Sequence, residues 1–131
     1  MAFRQLEIIE VHLHQNPRSN LVVLKEMGQG NTYPFFTSFE TVFLLEKLLT
    51  SSSQSYLKGI YPLCLKLASH GNLKVQHVIL NQTDDTSSDA IVVLTGLKGK
   101  KEQLTFQLPL SEGLIMATFS NVPIYLKDNA L

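Results

Sequence analysis

The stretch LSEGLIMATFSNVPIYLK (Leu110–Lys127) carries a helix, a turn and a strand in direct succession. Its first part, SEGLIMATFS, predicts a helix over Ser111–Ser120 with Ser111 as the N-cap, because a serine side chain can accept an N–H of the first turn. The following VPIYLK predicts a strand over Val122–Lys127, since β-branched and aromatic residues dominate it. The stretch therefore predicts the third helix and the last strand of the chain.

Two more helices are predicted upstream of this stretch. TSFETVFLLEKLLT (Thr37–Thr50) has apolar residues at helical spacing, and Thr37 and Glu40 have the spacing of a capping box. IYPLCLKLASHG (Ile60–Gly71) has Pro62 in its first turn and Gly71 at the expected C-cap.

The remaining segments predict strands bounded by turns. Pro34 would make the third strand an edge strand or end it early, since proline cannot donate to a ladder. Asn81–Asp89 is predicted to be a polar connection. The order is β-β-β-α-α-β-β-β-α-β, a single α+β domain over residues 1–131 with a mixed or antiparallel sheet. Besides Val122–Lys127, the strands are predicted at residues 5–14, 21–26, 32–36, 73–80, 90–97 and 102–109.

Composition limits the functional classes. Of 131 residues, 44 % are hydrophobic, enough for one packed core, and eleven basic residues balance eleven acidic ones. A dominant nucleic-acid surface would need an excess of positive charge, so nucleic acid could be a partner only through a local patch. A single cysteine, no signal-peptide pattern and no apolar run of about 20 residues predict a cytoplasmic protein without a membrane partner.

EVHLHQN (Glu10–Asn16) raises the question of a metal site. Glu10, His12 and His14 alternate with Ile9, Val11 and Leu13, and alternate residues of a strand face the same side. No fourth ligand is evident in the sequence. We interpret the polar set as the solvated face of a half-buried strand and expect no zinc there.

Other reactive side chains have structural interpretations. His77 alternates with apolar neighbours and is expected in the core or an interface, whereas His70 is expected at a helix end, where its cationic form suits the dipole. Cys64 lies among leucines, with nothing nearby to lower its pKa, and is expected to be a small buried residue. The acidic segment 84–89 lacks EF-hand spacing, and the lysines of segment 98–101 predict an exposed turn.

The C-terminal stretch resembles the signature of the bifunctional nuclease domain family. In that family a helix led by Ser-Asp-Ala is followed by a short loop, Pro-Ile and a strand; here the positions hold Ser111-Glu112-Gly113 and Pro123-Ile124. VVLKE, YPFFTSFET and SHGNLKVQHVIL resemble the family's second strand, the start of its first helix and the turn into its central strand. The match covers roughly residues 6–131.

This resemblance implies a compact, often self-associating domain and, for part of the family, nuclease activity on DNA or RNA with a divalent metal. The residues that carry over as site candidates are Glu112, Ser111 and Glu40. Other family positions are replaced. The Thr-His-Asp positions hold Gly59, Ile60 and Tyr61, and the arginine two residues before the serine is Pro109, so an acid/base group and a phosphate clamp are lost.

Two functions therefore stay open. The first is a nuclease-like domain with an eroded site acting on phosphodiesters, and the second is a non-catalytic oligomeric interaction or assembly module. The inventory of ionisable residues favours the second. Short strands and a proline-bearing edge predict a homo-oligomer, with a dimer favoured, that covers unpaired backbone.

Overall fold

The computed structural model describes residues 3–13, 20–28, 30–50, 60–84, 87–96 and 103–127. The observed order of elements is the predicted one, β-β-β-α-α-β-β-β-α-β, so the α+β assignment is confirmed. The elements are β1 (Phe3–His12), β2 (Leu21–Glu26), β3 (Thr32–Phe36), α1 (Phe39–Thr50), α2 (Ile60–His70), β4 (Leu73–Asp84), β5 (Ser87–Gly96), β6 (Gln103–Pro109), α3 (Leu110–Ser120) and β7 (Ile124–Lys127).

The seven strands form one mixed sheet in the order β3-β2-β1-β7-β4-β5-β6. The last strand of the chain lies at the centre, antiparallel to β1 and parallel to β4. All other neighbouring pairs are antiparallel. Strand β7 therefore joins two antiparallel groups that the earlier part of the chain builds separately.

The helices pack on one face of the sheet, and α3 lies at the centre of that layer. Seven of its eleven residues are buried, which suits a helix covered on most sides, and Leu114 and Ala117 are essentially inaccessible. α3 contacts β4, β5 and β6, while α1 packs against α3 and β1, and α2 against β4. The predicted helix of the opening stretch is thus the centre of the core.

Two predicted helix starts are wrong in detail. Ser38, not Thr37, caps α1, because the Ser38 hydroxyl accepts the Thr41 N–H at 3.2 Å. Glu40 lies in the first turn without closing a capping box. In α3 the N-cap position is Pro109 and no side chain caps it, so Ser111 lies inside the helix. Helix α3 starts one residue earlier because Leu110 is buried in the core.

The predicted facing of β1 is also partly wrong. Its ladder with β2 shifts between Ile8 and Glu10, which is a β-bulge. A bulge reverses the alternation, so Ile8 as well as Val11 packs on the core, whereas Ile9 is exposed.

Two connections differ from the prediction. Asn81–Asp89 is not an irregular connection, because the β4–β5 ladder continues to the pair Asp84 and Ser87. After α2 the left-handed residue is Asn72 rather than Gly71. Asparagine tolerates positive φ, which suits Asn72 to the turn after α2. The polar residues after Leu80 extend the β4–β5 hairpin, because their backbone groups pair across the ladder.

Candidate functional site

Tyr61 and Cys64 lie in the first half of α2, and Glu112 lies in the first turn of α3. Burial raises the pKa of the Tyr61 phenol above its ordinary value, and the Glu112 carboxylate and then Cys64 raise it further. The Glu112 carboxylate therefore lies within electrostatic range of the Tyr61 phenol. Tyr61 and Glu112 are thus linked by electrostatics, while no hydrogen bond or ion pair among the described residues joins them.

The chemistry of this cluster differs from that of a hydrolytic metal site. A phenol with a raised pKa is neutral near pH 7 and donates a hydrogen bond, whereas an aspartate in its place would be an anionic ligand. Glu112 is exposed and supplies one carboxylate. Within the part of the chain that the structure describes, no group of three His, Cys, Asp or Glu side chains could hold a metal ion. The residues present do not fit a divalent metal.

The three predicted site residues lie at two helix starts. Glu112 and the half-buried Ser111 occupy the first turn of α3, and the exposed Glu40 occupies the first turn of α1. No hydrogen bond or ion pair among the described residues joins Glu40 to either of the other two. Their role in a site stays a prediction.

The alternation in EVHLHQN does bring two polar side chains into contact. Nε2 of His12 lies 2.8 Å from Oε2 of Glu10, and both side chains are largely exposed. His14 lies outside the described residues. A carboxylate and an imidazole that bind each other on an exposed strand have the geometry of a surface pair.

A buried polar cluster was not predicted. Glu26 exposes only 8 % of its surface, and its Oε2 accepts the Asn31 amide at 3.2 Å and lies 3.7 Å from the Arg4 guanidinium. Arg4 also donates to the Tyr33 hydroxyl at 3.3 Å. The sequence did contain a signal for the burial of Glu26, because Glu26 follows Val22 and Leu24 at alternate positions of β2 and so faces the same side. The cluster ties β1, β2 and β3 together.

The outer side of α2 and the end of the sheet share an exposed apolar area, here called the α2–β6 surface. It consists of Leu63 and Leu67 on α2, which are 54 % and 63 % exposed, and Leu104 and Phe106 on β6, which are 43 % and 55 % exposed. These pairs are spaced by four residues on a helix and by two on a strand, so each pair shares a face.

A cavity of about 450 Å³ lies beneath the α2–β6 surface. Leu67 and Phe106 both line it, which makes the surface continuous across the gap between the helix and the sheet. Its walls are apolar except for Gln107 and Cys64. The prediction that Cys64 is buried is wrong, because Cys64 is exposed. Leu63 and Leu67 are exposed as well, whereas Leu65 packs against the core, so the leucine-rich sequence did not decide whether Cys64 is buried.

No protein-family model matches the chain, and no curated protein matches it. Among the described helices, none is both long and apolar enough to cross a membrane.

Proposed function

We propose that this chain is a non-catalytic interaction module that assembles into a homodimer on the architecture implied by the bifunctional nuclease resemblance. The observation that carries the proposal is the α2–β6 surface. With its single cysteine the chain suits a reducing compartment, and we place its work in the cytoplasm.

The size of this surface supports self-association. Taking about 200 Å² for a large apolar side chain, its four residues expose on the order of 400 Å². Monomeric proteins rarely leave more than a few hundred Å² of contiguous apolar surface in water. A standard interface buries about 800 Å² on each partner, so these four side chains would supply about half of one.

The polar cluster supports a role without catalysis. Cleaving a phosphodiester requires stabilisation of negative charge, an activated nucleophile and usually metal ions held by carboxylates. Tyr61, Cys64 and Glu112 supply a neutral donor, a thiol and one carboxylate, and Pro109 supplies no cation. Loss of one hydrogen-bond donor that stabilises the transition state typically raises the activation free energy by about 3 kcal/mol. Here the arginine and the histidine and aspartate of the resemblance are all replaced.

Light scattering of purified variants tests the proposal. Leu67→Lys puts a charge on the α2–β6 surface and should convert dimer to monomer at micromolar concentration. Leu49→Lys is the matched control, because Leu49 is 48 % exposed on α1, away from that surface. A dimer that survives Leu67→Lys but not Leu49→Lys would contradict the assignment of this surface.

The resemblance at Ser111-Glu112-Gly113 and Pro123-Ile124 supports a second candidate function, a nuclease-like activity on DNA or RNA. The test is cleavage of single- and double-stranded DNA and RNA with Mg²⁺ or Mn²⁺, with Glu112→Gln and Glu40→Gln as controls. Divalent-dependent cleavage abolished by Glu112→Gln would establish this candidate. Cleavage that survives both substitutions would come from another site or from a contaminant.

A further inference from the structure

We infer that two copies of this chain associate by antiparallel pairing of their β6 strands, which joins the two sheets into one. This inference rests on the proposed function and specifies its contact. The partner of the α2–β6 surface is then a second copy of the chain. The contact forms by addition of one β6 strand to the other at the sheet edge.

Strand β6 is the unprotected edge of the sheet. It ends the strand order, and its residues Gln103–Leu108 include neither a charged side chain nor a proline. The opposite edge strand, β3, carries Pro34 within its ladder to β2, and proline removes a backbone donor. Natural edges are usually blunted by charge, proline or a bulge. The edge formed by β6 has none of these between Gln103 and Leu108, so its backbone groups are suited to pair with another strand.

The alternation along β6 suits pairing with a copy of itself. Leu104 and Phe106 lie opposite the buried residues Leu94 and Val92 of β5, on the face that carries the helices. Thr105 lies opposite Val93, on the other face. A twofold axis normal to the sheet keeps the helices of both copies on the same face. It therefore places Leu104 and Phe106 of each copy beside those of the other.

Electrostatics also allow this contact. A twofold axis brings like residues close together, so a charged strand would face its own charges. Strand β6 is uncharged from Gln103 to Pro109. On the open face, Gln107 donates to the carboxylate of Asp89 on the neighbouring β5 at 2.7 Å, so this acidic group is paired within its own chain.

The apolar area decides between a second copy and a short extended peptide. A twofold contact at the edge buries the exposed parts of β6 from both copies and brings the neighbouring α2 leucines towards the partner. A peptide added to the edge would cover β6 and leave Leu63 on the outer side of α2 in water. A second copy thus accounts for the exposed Leu104 and Phe106 of both chains.

Cysteine cross-linking of the full chain tests the pairing. In a Cys64→Ser background, which removes the native thiol, Thr105→Cys should give a disulfide-linked dimer on mild oxidation, because residue 105 lies near the middle of the strand and close to the axis. Thr32→Cys, on the exposed edge β3, is the matched control and should stay unlinked. Thr105→Pro should raise the dissociation constant at least about tenfold, whereas Thr32→Pro should not.

The outcomes separate this inference from the proposed function. A dimer by light scattering that links through Thr32→Cys, or that tolerates Thr105→Pro, would overturn β6 pairing while leaving self-association intact. A monomer at all concentrations would overturn both. A dimer that links through Thr105→Cys and dissociates with Thr105→Pro supports both.

Discussion

Gly113 is the residue at which α3 comes closest to the sheet. A Cβ atom built on Gly113 would lie 2.3 Å from the Cβ of Ala90 and 3.4 Å from Val78 Cγ1. Ala90 is itself fully buried. The family that the chain resembles has alanine at the position of Gly113. In this chain Ala90 of β5 lies directly beneath that position, and its closeness accounts for the smaller glycine.

Gly113→Ala should destabilise the protein by about 1–3 kcal/mol, because overpacking forces the helix away from the sheet. Helix propensity alone predicts the opposite sign, since alanine is favoured over glycine by about 1 kcal/mol. Ala90→Gly added to Gly113→Ala should recover much of the loss. Urea unfolding of the two single variants and the double variant measures this coupling, and a Gly113→Ala protein as stable as wild type would contradict the close approach.

His77 should make stability depend on pH. Burial lowers the pKa of His77 below its ordinary value of 6.5, and its ring lies edge-on to Tyr125, with the ring centroids 5.5 Å apart. The unfolded chain therefore binds a proton at a higher pH than the folded chain. Stability should be fully present above pH 6.5 and should fall as the pH drops from there to the lowered pKa of the folded state.

The comparison of wild type with His77→Gln isolates this contribution. Both proteins share all other titrating groups, so the difference in unfolding free energy between them should change between pH 7.5 and pH 5.5 in the direction that favours His77→Gln at the lower pH. Urea unfolding at the two pH values checks it. Parallel pH profiles would show that His77 titrates alike in both states.

Most elements were predictable because their patterns are local. Strands β2 and β3 have the predicted bounds, and the helices begin and end within two residues of the prediction. Cap identity was not predictable, since Thr37 and Ser38 both have hydroxyls and the backbone decides which one reaches an N–H. The bulge in β1 could not be predicted for a related reason. The sequence allows two registers of β1 against β2, and each of them places apolar side chains on the core face.

Ser38→Ala should therefore destabilise α1 by about 1 kcal/mol, since the Thr41 N–H loses its acceptor. Thr37→Ala is the control, because the recorded hydrogen bond of Thr37 is made by its backbone N–H, to the Asn20 carbonyl. Chemical unfolding of both variants compares the two residues. A larger loss for Thr37→Ala would restore the cap predicted from the sequence.

The candidate site was predictable only in part. Ser111, Glu112 and Glu40 do lie in first helical turns, which local sequence indicates, but which turns face each other depends on packing. The electrostatic effect of Glu112 on Tyr61 likewise depends on tertiary packing, which local sequence does not indicate. The exposure of Cys64 could not be predicted for the same reason, since a leucine-rich helix is buried only where the tertiary fold covers it.

The sheet order depends on long-range pairing, and the sequence alone does not predict it. Strand β7 could pair at an edge or at the centre; it lies between β1 and β4 because Ile124 aligns with Leu6 on one side and Val78 on the other. This placement leaves β6 at one edge of the sheet. The surface on which the proposed function depends is thus a consequence of topology rather than of a motif.

The central claim, that this chain works by assembling with itself, is tested most directly by native mass spectrometry of the full chain at low micromolar concentration. We predict a species at twice the chain mass of 14.7 kDa, together with its loss on Leu67→Lys. A single species at the mass of one chain throughout the micromolar range would contradict the account.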